Sequence, residues 1–353
     1  MPDLDSPASY AAHDPRGMLA HITGLPEQCE RAWLESAGIS FPEAFRKVTG
    51  VLILGLGGSA IGGDLLRCLI ADECPVPVVL HRDYGLPGWV SERTLVLACS
   101  YSGNTEETLS AFGAAANAGA RLFAMTTGGR LLQRARELGA VCYCYHYEAQ
   151  PRAALGYSLM TLLRVMDRLG LVRDKSGEVA EAVTVMRSWL TEIGPEVAVT
   201  NNAAKALATR LYRRLPVIYG AEHLAEVARR WKGQFNENSK SWAVFDVAPE
   251  LAHNTIAGYQ SPARLAPLAH TVVLTAPSLH PRVQARLQFA RELLSSRGFA
   301  SEAVEGRGQS RLAQALSLVL FGDLVSYYLS LLYGVDPWEI ANIDAMKRRM
   351  GAA

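Results

Sequence analysis

The stretch Ser100-Tyr101-Ser102-Gly103-Asn104-Thr105-Glu106-Glu107-Thr108 gathers hydroxyls and an amide around one glycine. It follows a short apolar run, Thr94 to Cys99, and leads into a helical pattern from Thr105 onward. A strand-to-helix turn of this composition suits an anion. Backbone N–H groups at a helix start are unpaired and lie at the positive end of the dipole, and Ser100, Ser102 and Thr105 can donate further hydrogen bonds to a phosphate. Gly103 lets a ligand approach the backbone closely. The simpler reading is an N-cap, for which a single hydroxyl followed by Glu106 and Glu107 would suffice.

A second turn of the same kind precedes it. The apolar strand Val51 to Leu54 runs into Gly55-Leu56-Gly57-Gly58-Ser59-Ala60-Ile61-Gly62-Gly63-Asp64, with a helix expected over Leu65 to Ile70. Gly55 to Ala60 also fits a dinucleotide fingerprint, with Asp83 at about the distance expected for a ribose-binding acid. A dinucleotide enzyme has no need of the hydroxyl-rich Ser100 turn, so two loops sharing one phosphorylated sugar is the preferred reading.

Further strands are expected at Val76 to Leu80, Thr94 to Cys99, Arg121 to Met125 and Ala140 to Tyr147, with helical patterns between them. That alternation implies a parallel, doubly wound sheet, whose ligands sit outside the carboxyl ends of the strands at the switch point. Helical patterns follow to about Gly170, then a polar break at Arg173 to Gly177, and further helices over Ala180 to Ile193 and Ala203 to Tyr212. A second α/β unit opens with a strand at Pro216 to Tyr219, closed by Gly220. It continues through a helix from Leu224 to Trp231, a strand at Val272 to Thr275 and a helix from Pro281 to Ser295, and ends in helices over Leu312 to Tyr333 and from Pro337 to about Met350. The expected division is therefore a tail and helix over 1–46, one domain over 47–172 and a second over 173–353.

The composition fits this reading. The 353 residues exceed what one core usually supports. With 20% charged residues and a net charge of +1, no overall field favours nucleic acid or a membrane surface. No run is read as reaching membrane-spanning length, and a cytoplasmic location is the default expectation. The six cysteines include no CxxC pair and read as buried, reduced thiols. Cys142 and Cys144 would share a strand face but lack the further ligands of a metal site.

The two loops and the residues beyond them resemble a known family. Ser100 to Thr108, with Gly57-Gly58-Ser59, is similar to the sugar isomerase (SIS) domain. Pro151-Arg152 with Gly156-Tyr157, Asn236-Glu237-Asn238 with Lys240, Pro249-Glu250 with His253-Asn254, and Lys347 extend the likeness to the bifunctional phosphoglucose/phosphomannose isomerases. The resemblance implies two SIS domains, each a three-layer αβα parallel sheet, with helical terminal segments. It implies Ser100, Ser102 and Thr105 on the phosphate and Gly58 and Ser59 on the sugar. Arg152 would steady the enediolate, Glu237 would shuttle a proton between C1 and C2, and His253 and Lys347 would assist ring opening. In that family the histidine comes from the neighbouring subunit, which implies a homodimer.

Each role has a plainer counterpart. Glu237 could be a solvated helix-end charge, His253 a surface histidine, Arg152 a structural ion-pair partner and Lys347 one of a basic run. An aldose–ketose conversion needs one carboxylate to remove and return a proton, and a fixed cation to hold the charge that develops, so no metal or cofactor is required. The competing functional reading is a non-catalytic SIS module that senses a phosphosugar.

Overall fold

The computed structural model describes residues 2–351. The chain packs as two compact units: Gly24–Thr184 with Ser310–Ala313, and a second made of the chain up to Thr23, Val185–Gln309 and the chain from Gln314 onward.

The first unit holds a five-stranded sheet of β1 (Gly50–Leu54), β2 (Val78–His81), β3 (Thr94–Cys99), β4 (Arg121–Thr126) and β5 (Val141–Cys144). The strand order is β2-β1-β3-β4-β5 and every pairing is parallel. β1 and β3 are buried along their whole length, as continuous apolar runs covered on both faces must be. Leu52, Val96 and Ala124 pack under Phe112 of the Glu106–Asn117 helix. The order reverses between β1 and β3, so the loops after these two strands flank the switch point, as the sequence implied.

The second unit repeats the plan with four strands, β6 (Leu215–Ala221), β7 (Val244–Ala248), β8 (Ala269–Thr275) and β9 (Ala300–Glu305), in the parallel order β7-β6-β8-β9. Its core is organised around the 23-residue helix Arg311–Tyr333. Trp231 donates its indole N–H to the Leu318 carbonyl at 2.8 Å and lies over Gly322, where a Cβ would come within 2.2 Å of the ring.

Several expectations need correction. The helix after β1 spans Gly57–Leu69 and does not wait until Leu65, because Gly62 and Gly63 are packing positions within it. A Cβ on Gly62 would meet Ser158 at 2.4 Å, and one on Gly63 would meet Ile53 at 2.8 Å. Gly220 lies inside β6 and does not close it, and the following helix runs Ala225–Glu237, well past Trp231. The last helix starts at Ala341 rather than Pro337. The Arg311–Tyr333 helix is long and apolar enough to pass as a membrane span, contrary to the sequence reading, yet its most apolar 18-residue window lies wholly inside the protein. Among the cysteines, Cys29 and Cys99 are buried and burial pushes both thiols up to about 12, whereas Cys144 is exposed.

Candidate active site

In the first unit the residues singled out after β1 and β3 meet. Ser59 Oγ accepts the Tyr101 backbone N–H at 3.0 Å, tying the two loops together. Ser100 is 2% exposed, and its hydroxyl pairs with that of Thr105 at 2.9 Å. Thr105 is the N-cap of the Glu106–Asn117 helix, but its side chain makes no capping bond there. The hydroxyl is turned to Ser100 instead, which is not what a simple cap requires. Ser102 is exposed and accepts the Asn104 backbone N–H at 3.2 Å. Thr108, a fourth hydroxyl that the sequence reading gave no role, is 1% exposed, and its oxygen has no hydrogen-bond partner among the described residues.

The loop after β4 supports this turn from one side. Thr127 donates its N–H and its hydroxyl to the Tyr101 carbonyl at 3.1 and 2.7 Å, Leu131 N–H reaches the Gly103 carbonyl at 2.8 Å, and Arg130 N–H reaches Asn104 Oδ1 at 3.1 Å. Gly103, at φ 68°, lies so close to this loop that a Cβ would stand 1.9 Å from the Gly128 carbonyl oxygen. Its glycine therefore serves chain packing as well as any ligand.

On the other side lies the short 3-10 turn Pro151–Ala153. A Cβ on Gly58 would meet the Arg152 backbone nitrogen at 2.6 Å, so the helix start after β1 and the Arg152 turn are in van der Waals contact. Arg152 is 2% exposed. Gln28 fixes the turn, donating to the Ala153 carbonyl at 2.8 Å and accepting the Gly156 N–H at 2.5 Å. Gly58, Ser59, Ser100 and Pro151 border a cavity of about 10 Å³, room for roughly one water. Behind it Tyr145 stacks on Tyr157 with ring centroids 4.7 Å apart. Burial holds the Tyr145 hydroxyl far above its ordinary range and pushes that of Tyr147 up to about 12, so both stay un-ionised near neutral pH.

The structure thus brings together Gly58, Ser59, Ser100, Thr105 and Arg152, with Ser102 on the exposed rim of the same loop. Glu237, His253 and Lys347 belong to the second unit. Glu237 is half-buried as the last residue of the Ala225–Glu237 helix. Its neighbours hold that helix end: Asn236 Oδ1 accepts the Ala243 N–H at 3.1 Å, and the buried Asn238 donates to Ser326 Oγ at 2.9 Å. His253 is exposed after a short 3-10 turn, and its imidazole makes no hydrogen bond or ion pair among the described residues. Lys347 is exposed on the Ala341–Gly351 helix, which has no buried residue. Asp83, the acid of the dinucleotide reading, is exposed and accepts the N–H of its neighbour Tyr84 at 2.9 Å. Among the described residues no three His, Cys, Asp or Glu side chains are grouped to hold a metal ion.

Two doubly wound parallel sheets of matching strand order, the first carrying a hydroxyl-rich loop at its switch point, define a two-domain α/β protein of the sugar isomerase class. A solved glucose-6-phosphate isomerase-like protein from Thermus thermophilus shares this fold, with a TM-score of 0.64 at 20% identity, covering 99% of each chain. Residues 200–350 match the model of the bacterial phospho-glucose isomerase C-terminal SIS domain. The bifunctional phosphoglucose/phosphomannose isomerase of Caldicellulosiruptor bescii is 42% identical over 94% of this chain and 98% of its own, and that of Aquifex aeolicus is 34% identical over 85% and 90%. The chain belongs to the bifunctional phosphoglucose/phosphomannose isomerase family.

Proposed function

We propose that this protein interconverts glucose 6-phosphate, mannose 6-phosphate or both with fructose 6-phosphate through a cis-enediolate, its functional domains being residues 47–172 and 173–353. The observation that carries the proposal is the knot of Ser59, Ser100 and Thr105 hydroxyls against the Gly58–Arg152 contact. Ser100, Ser102 and Thr105 take the phosphate at the start of the Glu106–Asn117 helix, where the unpaired N–H groups and the dipole favour an anion. Gly58 and Ser59 contact the sugar. Arg152, a planar charge in a buried setting, stabilises the enediolate oxygens more strongly than a solvated cation would.

Glu237 removes the proton from one of the carbons C1 and C2 and returns it to the other, one carboxylate serving as base and then as acid. His253 and Lys347 transfer protons for ring opening. His253 acts from the partner subunit of a homodimer, which is consistent with an exposed imidazole that has no bond among the described residues. The location is proposed to be cytoplasmic. The decisive experiment is an assay of the purified protein on both hexose phosphates, with and without a chelator, beside a Glu237→Gln variant. Turnover on at least one substrate, indifferent to chelator and abolished in the variant while fructose 6-phosphate still binds, supports the proposal. A variant that turns over normally removes Glu237 as the base and leaves the sensing reading to be tested by binding alone.

A further inference from the structure

The Ala225–Glu237 helix ends on an ammonium group. Lys240 Nζ donates to the carbonyl oxygen of Glu237 at 2.7 Å, to that of Asn238 at 3.3 Å and to that of Asp336 at 2.7 Å. The first two carbonyls lie at the negative end of the helix dipole, where a cation is favoured. To reach all three, the chain places Lys240 at φ 55°, a left-handed conformation that a lysine rarely adopts. The third bond leaves the helix altogether.

Asp336 belongs to the segment that launches the Ala341–Gly351 helix. Gly334, at φ 67°, ends the Arg311–Tyr333 helix, and Asp336 Oδ1 then accepts the Trp338 N–H at 2.7 Å. Arg16 pairs with Asp336 Oδ2 at 3.0 Å and with Glu339, and its guanidinium lies 5.7 Å from the centre of the Trp338 ring. This segment is therefore held at two points, Arg16 on its carboxylates and Lys240 on its backbone. One ammonium thus joins the backbone of the residue assigned as base to the segment preceding the helix that carries Lys347.

We infer that Lys240 is a positioning residue for the isomerisation: it fixes the Glu237 helix end and the start of the Lys347 helix in one mutual register. The inference rests on the proposed role of Glu237. The three carbonyls that Lys240 binds belong to the unit that carries Glu237, whereas the phosphate loop, Gly58 and Ser59 belong to the other. Its loss should therefore be felt in turnover and not in substrate capture. Lys240 is itself exposed, and together with Ser239, Ser241, Trp242 and Val335 it lines an open pocket of about 500 Å³. Removing its side chain empties no core space, and the buried Asn238–Ser326 bond still anchors the helix end.

The test compares Lys240→Gly, which accepts the left-handed backbone and deletes the ammonium, with Lys240→Arg, which keeps a charged donor, and with Glu237→Gln. The expected result is a fall in kcat of at least tenfold for Lys240→Gly, with KM within twofold of the parent and an unchanged unfolding midpoint. Lys240→Arg should recover most of the turnover. Parental kcat in Lys240→Gly beside an inactive Glu237→Gln overturns the positioning role alone. A fall in kcat accompanied by a raised KM and a lowered unfolding midpoint also overturns it, marking Lys240 as merely structural. A fully active Glu237→Gln removes the base on which the inference rests, and the inference falls with it.

Discussion

Ser102 and Ser59 differ in how much of their role could be read from sequence. Both are hydroxyls in loops at one sheet end, but Ser59 is engaged by the Tyr101 N–H, whereas Ser102 lies exposed on the rim and takes only a local bond within its own turn. Ser102→Ala should therefore raise KM without altering the unfolding midpoint. A hydrogen bond to a charged group is worth roughly 1.5–3 kcal/mol, so the rise in steady-state KM should be about tenfold or more. An unchanged KM would count against the phosphate role. Arg152 entered only through the family resemblance, whereas the hydroxyl cluster and the glycine turn were legible as neighbours because residue type and order carry that. The bond from Ser59 to Tyr101, the contact of Gly58 with Arg152 and the unpaired Thr108 hydroxyl were not, because each depends on which chain segments approach to within 3 Å, and spacing along the sequence does not encode that.

Elements that were continuous and apolar were read closely. β3 has the bounds expected from its six buried residues. β7 and β9 were missed. β7 is a short edge strand with Val244 exposed, and β9, Ala-Ser-Glu-Ala-Val-Glu, has no apolar run at all. β9 is secured instead by polar contacts: Glu302 accepts from His270 Nε2 at 2.7 Å and pairs with Arg210 Nη2 at 2.6 Å. Burial pushes the Glu302 carboxyl up, but these hydrogen bonds and charges outweigh it and bring it down to about 2 from the ordinary 4.5. A carboxyl lowered on folding contributes stability above its unfolded value and loses it as the pH falls through the folded value. The unfolding midpoint should accordingly drop between about pH 4.5 and 2, and Glu302→Gln should flatten that part of the profile. A buried counterpart joins the helices Ala225–Glu237 and Arg311–Tyr333, Arg230 to Asp323 at 2.5 Å, with both side chains about 5% exposed or less. Asp323→Ala removes the carboxylate that faces the buried guanidinium and should cost about 3–5 kcal/mol in urea unfolding, while replacing both partners by apolar residues of similar volume should restore most of it.

At the scale of the whole chain, the two α/β units were visible as two rounds of strand and helix pattern, and their equivalence emerges in the sheets, where β7-β6-β8-β9 repeats the order β2-β1-β3-β4. Two-unit packing alone does not say whether one chain makes a working site. The exposed His253 imidazole, unbonded among the described residues, bears on that, because a group proposed to transfer protons is then open to serve another chain. In the proposed symmetric dimer each His253 would serve the neighbour's Glu237, and each chain would receive the same service in return. Mixing two inactive variants tests this arrangement. A mixed dimer of Glu237→Gln and His253→Ala carries one site lacking both groups and one site in which the intact Glu237 of one chain meets the intact His253 of the other. Equal mixing with free exchange makes half of the dimers mixed, so about a quarter of parental activity should return. Were His253 to act within its own chain, every site in the mixture would lack one group and none would return. Measuring kcat after co-refolding the two variants, with each refolded alone as control, decides between the two.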